Sequence, residues 1–112
     1  MLDLLFVYGT LRSGHENPYA RPLRSEAELV GPATVRGSIY RVRHHPAYKS
    51  EPDGEVRGEV YRLQNADMTL RVLDEYEGED FERIVVNGWW IYRYRGDLPE
   101  NARILSGDFL AQ

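Results

Sequence analysis

The dipeptide Asn87-Gly88 strongly constrains the fold because it separates two runs that are rich in β-branched and aromatic residues. The runs extend from Phe81 to Val86 and from Trp89 to Arg95. Asparagine and glycine both tolerate the positive φ that a two-residue type I′ turn requires. The sequence therefore predicts a β-hairpin in the second half of the chain.

An internal echo predicts two more strands. The segment Val35–Val42 (VRGSIYRV) is matched 21 residues later by Val56–Leu63 (VRGEVYRL). Two copies are too few for a repeat architecture, so we interpret them as two strands used alike. Alternation places the β-branched residue and the tyrosine of each copy on opposite faces, which predicts that both faces are covered. Between the copies, residues 44–46 and 50–54 are expected to form a loop and a tight turn.

Other segments complete the predicted architecture. The apolar run Leu4–Tyr8 predicts a buried strand that ends at Gly9. A short helix is expected within Ala20–Leu29, before the helix-breaking pair Gly31-Pro32. The turn-rich C-terminal tail is expected to add a last short strand. We therefore expect a single α+β domain over residues 1–112, with a mainly antiparallel, barrel-like mixed sheet and a few short helices.

The clearest helical pattern runs from Asn65 to Glu77. Asn65 suits the N-cap position, Asp67 suits the first turn, and Gly78 suits the C-terminal stop. The side of this helix expected to face solvent carries Arg71, Asp74 and Glu75.

Glu77 lies on the wrong side of this helix for a solvent-exposed charge. At 100° per residue it falls in the same apolar stripe as Ala66, Leu70 and Leu73. Burial and the negative end of the helix dipole would both raise the pKa of its carboxyl group, as proton transfer near neutral pH requires. Two structural explanations compete with this one: the helix frays before Glu77, or Arg83 pairs with it.

The turn Tyr8-Gly9-Thr10-Leu11 is a second candidate site because it follows a buried strand. Glycine permits close approach of the backbone, and successive amide N–H groups in such a turn form a nest for a carboxylate or an oxyanion. A glycine after a strand often does no more than end it. The segment is not a phosphate-binding loop, since no Lys-Ser/Thr follows it.

Composition excludes several classes of function. The 112 residues carry a formal net charge of −4 without a basic cluster, so nucleic acid is not an expected partner. No apolar run approaches the length of a membrane span. The N-terminal apolar run is short and lacks the basic leader of a signal peptide, so the cytoplasm is the expected compartment. The chain has no cysteine, and His15, His44 and His45 do not form a metal-binding pattern.

Taken together, the motifs resemble the γ-glutamylcyclotransferase-like superfamily, of the γ-glutamylamine cyclotransferase (AIG2-like) type. The resemblance rests on five segments: Phe6–Arg12 with its Tyr-Gly-Thr-Leu turn, Gly37–Tyr40, Gly58–Tyr61, Leu73–Gly78 (LDEYEG) and Ser106–Phe109. Two positions depart from the family pattern, since Phe81 stands where a tyrosine is usual and Phe109 where a tryptophan is usual.

The resemblance implies a function for the two candidate sites. Glu77 would be the general acid/base, and Tyr8, Gly9, Thr10 and Leu11 would bind the glutamyl end of a small γ-glutamyl substrate. The implied reaction closes the glutamyl part to 5-oxoproline and expels an amine, and it needs neither a metal nor an organic cofactor. The leaving amine is expected to meet residues 44–54 and the tail, and a monomer or small homo-oligomer is expected.

A function of another class remains open from the sequence. Because Phe81 lacks the usual hydroxyl group, the chain is alternatively a non-catalytic domain that keeps the cleft to bind a small metabolite or a protein. The two hypotheses differ at Glu77, because a binding domain has little reason to keep a carboxylate that is costly to bury.

Overall fold

A computed structural model describes residues 2–9, 11, 23 and 26–111 of the chain. Seven strands, one α-helix and two short 3-10 turns are described over their full length, and Leu23 and Glu26 are also helical. The strands are β1 Leu4–Val7, β2 Ala27–Arg36, β3 Ser38–Val42, β4 His45–Lys49, β5 Glu55–Leu63, β6 Phe81–Val86 and β7 Trp89–Tyr94. Helix α1 spans Ala66–Glu77, and the 3-10 turns span Glu100–Ala102 and Phe109–Ala111.

All seven strands belong to one curled mixed sheet in the order β2-β5-β1-β7-β4-β3, with β6 paired to β7. The pairs β1–β5, β2–β5, β3–β4 and β6–β7 are antiparallel, whereas β1 and β4 each lie parallel to β7. The predicted α+β class and the mainly antiparallel, barrel-like sheet are confirmed.

The hairpin between β6 and β7 forms as predicted. Asn87 and Gly88 have φ values of 56° and 81°, as the type I′ turn requires. Val86 pairs with Trp89 directly at the turn, so the two strands are in register over their full length.

The two copies of the echo are not used alike, which corrects the prediction. The second copy is continuous within β5, whereas the first is divided at Gly37, which has a φ of 140° and separates β2 from β3. Both glycines allow a close approach: a Cβ would lie 2.6 Å from the Tyr48 ring at Gly37, and 2.1 Å from the Val7 carbonyl oxygen at Gly58. The prediction that both faces are covered is confirmed by the buried side chains of Ile39, Tyr40, Val60 and Tyr61.

The predicted helix within Ala20–Leu29 is confirmed at Leu23 and Glu26, which are helical, and is wrong for residues 27–29, which begin strand β2. Residues 20–22, 24 and 25 lie outside the described part of the chain. Gly31-Pro32 does not end an element but lies inside β2, where the register shifts between Leu29 and Gly31. Because β2 is an edge strand, a proline and a bulge are tolerated there.

Two other local predictions also fail. Residues 45 and 46, which were expected in a loop, belong to strand β4, where Pro46 pairs with Arg41 of β3. The tail adds no full strand within the described residues. It contributes a single bridge between Arg103 and Tyr40, next to a 2.9 Å hydrogen bond from the Ile104 N–H to the Ile39 carbonyl.

Helix α1 packs on the sheet through Ala66, Leu70 and Leu73, all of which are buried. Its start differs from the prediction, because the Asn65 side chain caps no backbone group. Glu26 contacts the start of the helix instead: its carboxylate accepts hydrogen bonds from the Asn65 N–H and, at 2.6 Å, from the Thr69 hydroxyl. Among the described residues no helix has the length and apolarity needed to cross a membrane.

Candidate functional site

A cavity of about 480 Å³ opens between the C-terminal end of α1 and strands β1, β4 and β7. It is lined by Phe6, Val7, Tyr8, Gly9, Leu11, Val42, Arg43, His45, Pro46, Tyr76, Glu77, Asp80, Phe81, Tyr92 and Tyr94. The cavity therefore brings together the two candidate sites predicted from the sequence, Glu77 and the turn after β1, which lie at least 66 residues apart.

A split in the sheet explains why the cavity lies here. The same edge of β7 pairs with β1 at Trp90 and with β4 at Arg93. Between these two points the Tyr8 hydroxyl bridges the gap, since it donates to the Tyr92 carbonyl at 2.8 Å and accepts from the Tyr48 N–H at 3.2 Å. Burial, together with the charge of Glu77, raises the pKa of the Tyr8 hydroxyl well above its usual range.

Glu77 lies in the cavity, on the side of α1 that the helical pattern predicts. Burial raises the pKa of its carboxyl group from 4.5 to about 7. Over the described ranges 2–9, 11, 23 and 26–111, no side chain forms an ion pair with it. Helix α1 continues to Glu77, and the Gly78 N–H bonds to the Asp74 carbonyl, so the helix does not fray before it.

Arg83 does not pair with Glu77, because Asp74 holds it. The Arg83 guanidinium donates to both carboxylate oxygens of Asp74, at 3.0 and 3.2 Å, and lies 4.2 Å from the centre of the Trp90 ring. The Tyr92 hydroxyl donates to the same carboxylate at 2.6 Å. Asp74 is exposed, as its helical position predicted, and it also binds Arg83 and Tyr92. Tyr92 lines both the cavity and the outer groove that contains Asp74 and Arg83.

The hydrogen bond from Tyr92 to Asp74 is expected to stabilise this wall of the cavity. Asp74→Ala should lower the free energy of unfolding by about 1–2 kcal/mol, because the buried Tyr92 hydroxyl loses its close acceptor. Tyr92→Phe should lower it by about 1 kcal/mol, because Asp74 keeps its contact with Arg83. Since both variants remove the same contact, the double variant should lose less than the sum, with a coupling of about 1 kcal/mol. Urea unfolding of the four proteins measures this coupling, and a value near zero would show that the contact contributes nothing.

The turn after β1 approaches the opposite wall of the cavity. A Cβ at Gly9 would lie 2.7 Å from Cγ of Pro46, so the backbone of the turn packs directly against the start of β4. Leu11 is buried and lines the cavity beside Gly9. Thr10, the remaining residue of the predicted substrate-binding turn, lies outside the described residues.

Tyr92 and Tyr94 line the cavity although no pattern in the sequence singled them out, because strand β7 reaches the turn after β1 only through pairing in the sheet. Phe81, which the sequence had marked as a departure from the family pattern, also lines the cavity and packs edge-on against Tyr94 with ring centres 5.4 Å apart. Of the three histidines, His45 lies at the cavity and His15 falls outside the described residues. Within the part of the chain that the structure describes, no group of three or more metal-binding side chains occurs.

The fold and the cavity define a small mixed-sheet domain whose cavity holds a carboxylate that titrates near neutral pH. Known proteins identify the family. The family model described as "Gamma-glutamyl cyclotransferase, AIG2-like" matches residues 5–111. The chain is also 32% identical over 113 residues to the gamma-glutamylcyclotransferase family protein YtfP of Escherichia coli K12, covering 95% of each protein. The chain therefore belongs to the γ-glutamyl cyclotransferase, AIG2-like family.

Solved structures agree with this assignment. The solution NMR structure of ytfP from Escherichia coli superposes with a TM-score of 0.68 at 31% identity, over 96% of each chain. The crystal structure of the uncharacterized protein PH0828 from Pyrococcus horikoshii gives a TM-score of 0.76 at 26% identity, over 96% of this chain and 89% of that chain.

Proposed function

We propose that the protein is a γ-glutamylcyclotransferase that acts on a γ-glutamyl amine or a related amide, with Glu77 as its general acid/base. The observation that carries the proposal is the carboxylate of Glu77 in the cavity, where burial raises its pKa to about 7. A group with this pKa is present in both protonation states at neutral pH, so it can accept a proton and return it.

The chemistry needs one proton acceptor and a folded substrate. The α-amine nitrogen attacks the γ-carbonyl carbon of the same molecule, a new N–C bond closes the five-membered ring, and the original amide C–N bond breaks. The α-nitrogen loses two protons as it changes from an ammonium group to the lactam N–H, and the departing nitrogen gains two as it leaves as an ammonium ion. Glu77 accepts each proton from the first nitrogen and gives it to the second, so it is ionised again at the end. Because both reacting groups belong to one molecule, the cavity contributes mainly by holding the substrate in its folded conformation.

The raised pKa makes the first proton transfer feasible. The α-ammonium group lies beside a free α-carboxylate, so its pKa is above the value of roughly 8 for a peptide N-terminus, and proton transfer to a carboxylate is uphill. Each unit by which the pKa of Glu77 rises lowers this cost by about 1.4 kcal/mol, so the rise from 4.5 to about 7 lowers it by about 3 kcal/mol. Burial of Glu77 therefore makes this proton transfer easier.

In this proposal the turn after β1 receives the glutamyl end through its backbone. The Tyr8 hydroxyl already donates its proton to the Tyr92 carbonyl, so it is not the donor for the glutamyl carboxylate in this proposal. The backbone from Tyr8 to Leu11, including Thr10, remains as the source of N–H donors for a carboxylate.

The proposal is tested by incubating the purified protein with a panel of γ-glutamyl amines and γ-glutamyl dipeptides and assaying 5-oxoproline. Release from at least one compound supports the reaction, and the compound with the highest kcat/KM identifies the leaving group. If no compound yields 5-oxoproline but some bind, the protein is instead a binding domain that retains the cleft.

The pH dependence of kcat/KM provides a further prediction. Glu77 must be ionised to accept a proton, so activity should fall as the pH drops below about 7, the value to which burial raises its pKa. An ordinary glutamate would place this fall near 4.5. Initial rates at low substrate concentration between about pH 4 and 9 measure it, and a profile that stays flat down to pH 5 would contradict the assignment of Glu77.

A further inference from the structure

A second groove runs beside the cavity, between strand β3 and residues 101–106 of the tail. The bridge between Tyr40 and Arg103 and the hydrogen bond from Ile104 to Ile39 hold the tail against this edge of the sheet. The groove is lined by Arg41, Arg43, Asn101, Ala102, Arg103, Ile104, Leu105 and Ser106. Arg43 also lines the cavity, so the two depressions meet at this residue.

The groove is positively charged although the chain has a net charge of −4. Three arginines line it, and no carboxylate from residues 2–9, 11, 23 or 26–111 does. The positive charge of Arg103 is partly neutralised, because its guanidinium group donates to the Glu100 carboxylate at 3.3 Å and also interacts electrostatically with the Glu51 carboxylate. Arg41 lies 5.9 Å from the centre of the Phe109 ring. Neither Arg41 nor Arg43 forms an ion pair within the described ranges.

The backbone of Arg43 is a second, independent observation. Arg43 and His44 form the two-residue turn between β3 and β4, and Arg43 has a φ of 57°, in the left-handed region that favours glycine. A long charged side chain at such a position is unfavourable for the turn itself. Strained positions of this kind concentrate where a side chain serves binding or catalysis.

We propose that this groove binds an anionic group, a carboxylate or a phosphate, on the amine half of the substrate. The inference rests on the proposed function, because it takes the glutamyl end to lie between Glu77 and the turn after β1. Arg43 would then meet the anion at the mouth of the cavity, with Arg41 behind it. The planar guanidinium group offers paired N–H donors that match both carboxylate and phosphate oxygens. The titratable residues Asp80 and His45 line the cavity but not the groove, so they are not part of the proposed anion site.

Matched substrates test this proposal. The probes are γ-glutamyl-β-alanine and its neutral isostere γ-glutamyl-β-alaninamide, together with γ-glutamyl-phosphoethanolamine and its neutral counterpart γ-glutamyl-ethanolamine. We expect kcat/KM to be about fivefold to tenfold higher for an anionic member than for its neutral partner, and the preference should shrink as salt is added. The two pairs distinguish a carboxylate ligand from a phosphate ligand.

Arg43→Gly is the informative variant because the backbone at this position suits glycine. The variant should be at least as stable as the native protein in thermal melts. It should lose most of the preference for anionic substrates, because kcat/KM should fall more for the anionic member of each pair than for its neutral partner. Arg71→Ala, on the exposed side of α1, is the matched control and should keep the full preference.

Two results would overturn the inference: equal kcat/KM for anionic and neutral partners in the native protein, or an unchanged preference in Arg43→Gly. If neither these four compounds nor any other member of the panel yields 5-oxoproline, the proposed function fails, and NMR titration of the native protein with the same four compounds still decides the anion site. Tighter binding of an anionic member, lost in Arg43→Gly, supports the site, whereas equal or undetectable binding overturns it.

Discussion

Glu77→Gln is expected to reduce the rate of 5-oxoproline formation by about 10²- to 10⁴-fold, the contribution usual for a general acid/base. Glutamine has nearly the same shape and leaves the cavity intact, but it neither accepts the proton of the α-ammonium group nor returns one to the leaving nitrogen. The loss should therefore appear in kcat, with KM changed by much less. Steady-state kinetics with the best γ-glutamyl compound of the panel measure both constants.

The same variant is expected to be more stable than the native protein above neutral pH. The pKa of Glu77 is about 7 in the folded protein and near 4.5 when unfolded, so the folded state binds this proton more tightly. The proton bound to Glu77 therefore contributes its full stabilisation of the folded state below pH 4.5, and this contribution is lost as the pH rises through 7. Above that pH the buried charge lowers the free energy of unfolding by about 3 kcal/mol, a penalty that glutamine does not carry.

Urea unfolding of the native protein and Glu77→Gln at a series of pH values tests this difference. The free energy of unfolding of Glu77→Gln should exceed that of the native protein by an amount that grows between about pH 4.5 and pH 8. The effects of other titrating groups cancel in this difference because both proteins share them. An advantage that is independent of pH would show that Glu77 titrates normally. Full activity in the variant would contradict its role in proton transfer, whatever the stability shows.

The position of Glu77 was predictable because a helix encodes it locally. The spacing from Ala66 through Leu70 and Leu73 is a property of 12 consecutive residues, and the structure has the helix over those residues. What surrounds Glu77 was not predictable in this way. Asp74 looked like a solvent-facing charge, yet it binds Arg83 and Tyr92, which lie 9 and 18 residues further along the chain.

The errors in the predicted fold also arise where contacts between distant residues decide the structure. The Asn87-Gly88 turn was correct because its residues determine the backbone of a two-residue turn. Strand β4 was missed because Pro46 breaks a strand pattern locally, whereas pairing with β3 and β7 decides its conformation. The contact that creates the cavity joins Tyr8 to Tyr92 across 84 residues, and no periodicity in the sequence specifies it.

The contact between Gly9 and Pro46 makes the shape of the cavity testable. Both residues line the cavity, one at the turn after β1 and the other in β4. Gly9 does not have a positive φ, so alanine suits its backbone and the new methyl group is the main perturbation. That methyl group would lie 2.7 Å from Cγ and 3.2 Å from Cδ of Pro46, well inside normal contact distance. The turn and β4 must therefore move apart by about 1 Å.

Gly9→Ala is accordingly expected to lower kcat/KM by about 10²-fold, since a shift of about 1 Å in a substrate-binding wall has an effect of this size. Overpacking should also lower the free energy of unfolding by about 1–3 kcal/mol. Pro46→Ala removes both atoms that the methyl group meets, so the double variant should recover most of the activity that Gly9→Ala loses. Kinetics of the three variants and the native protein decide the question. If the double variant recovers nothing, the loss arises from the backbone of the turn itself and not from its contact with β4.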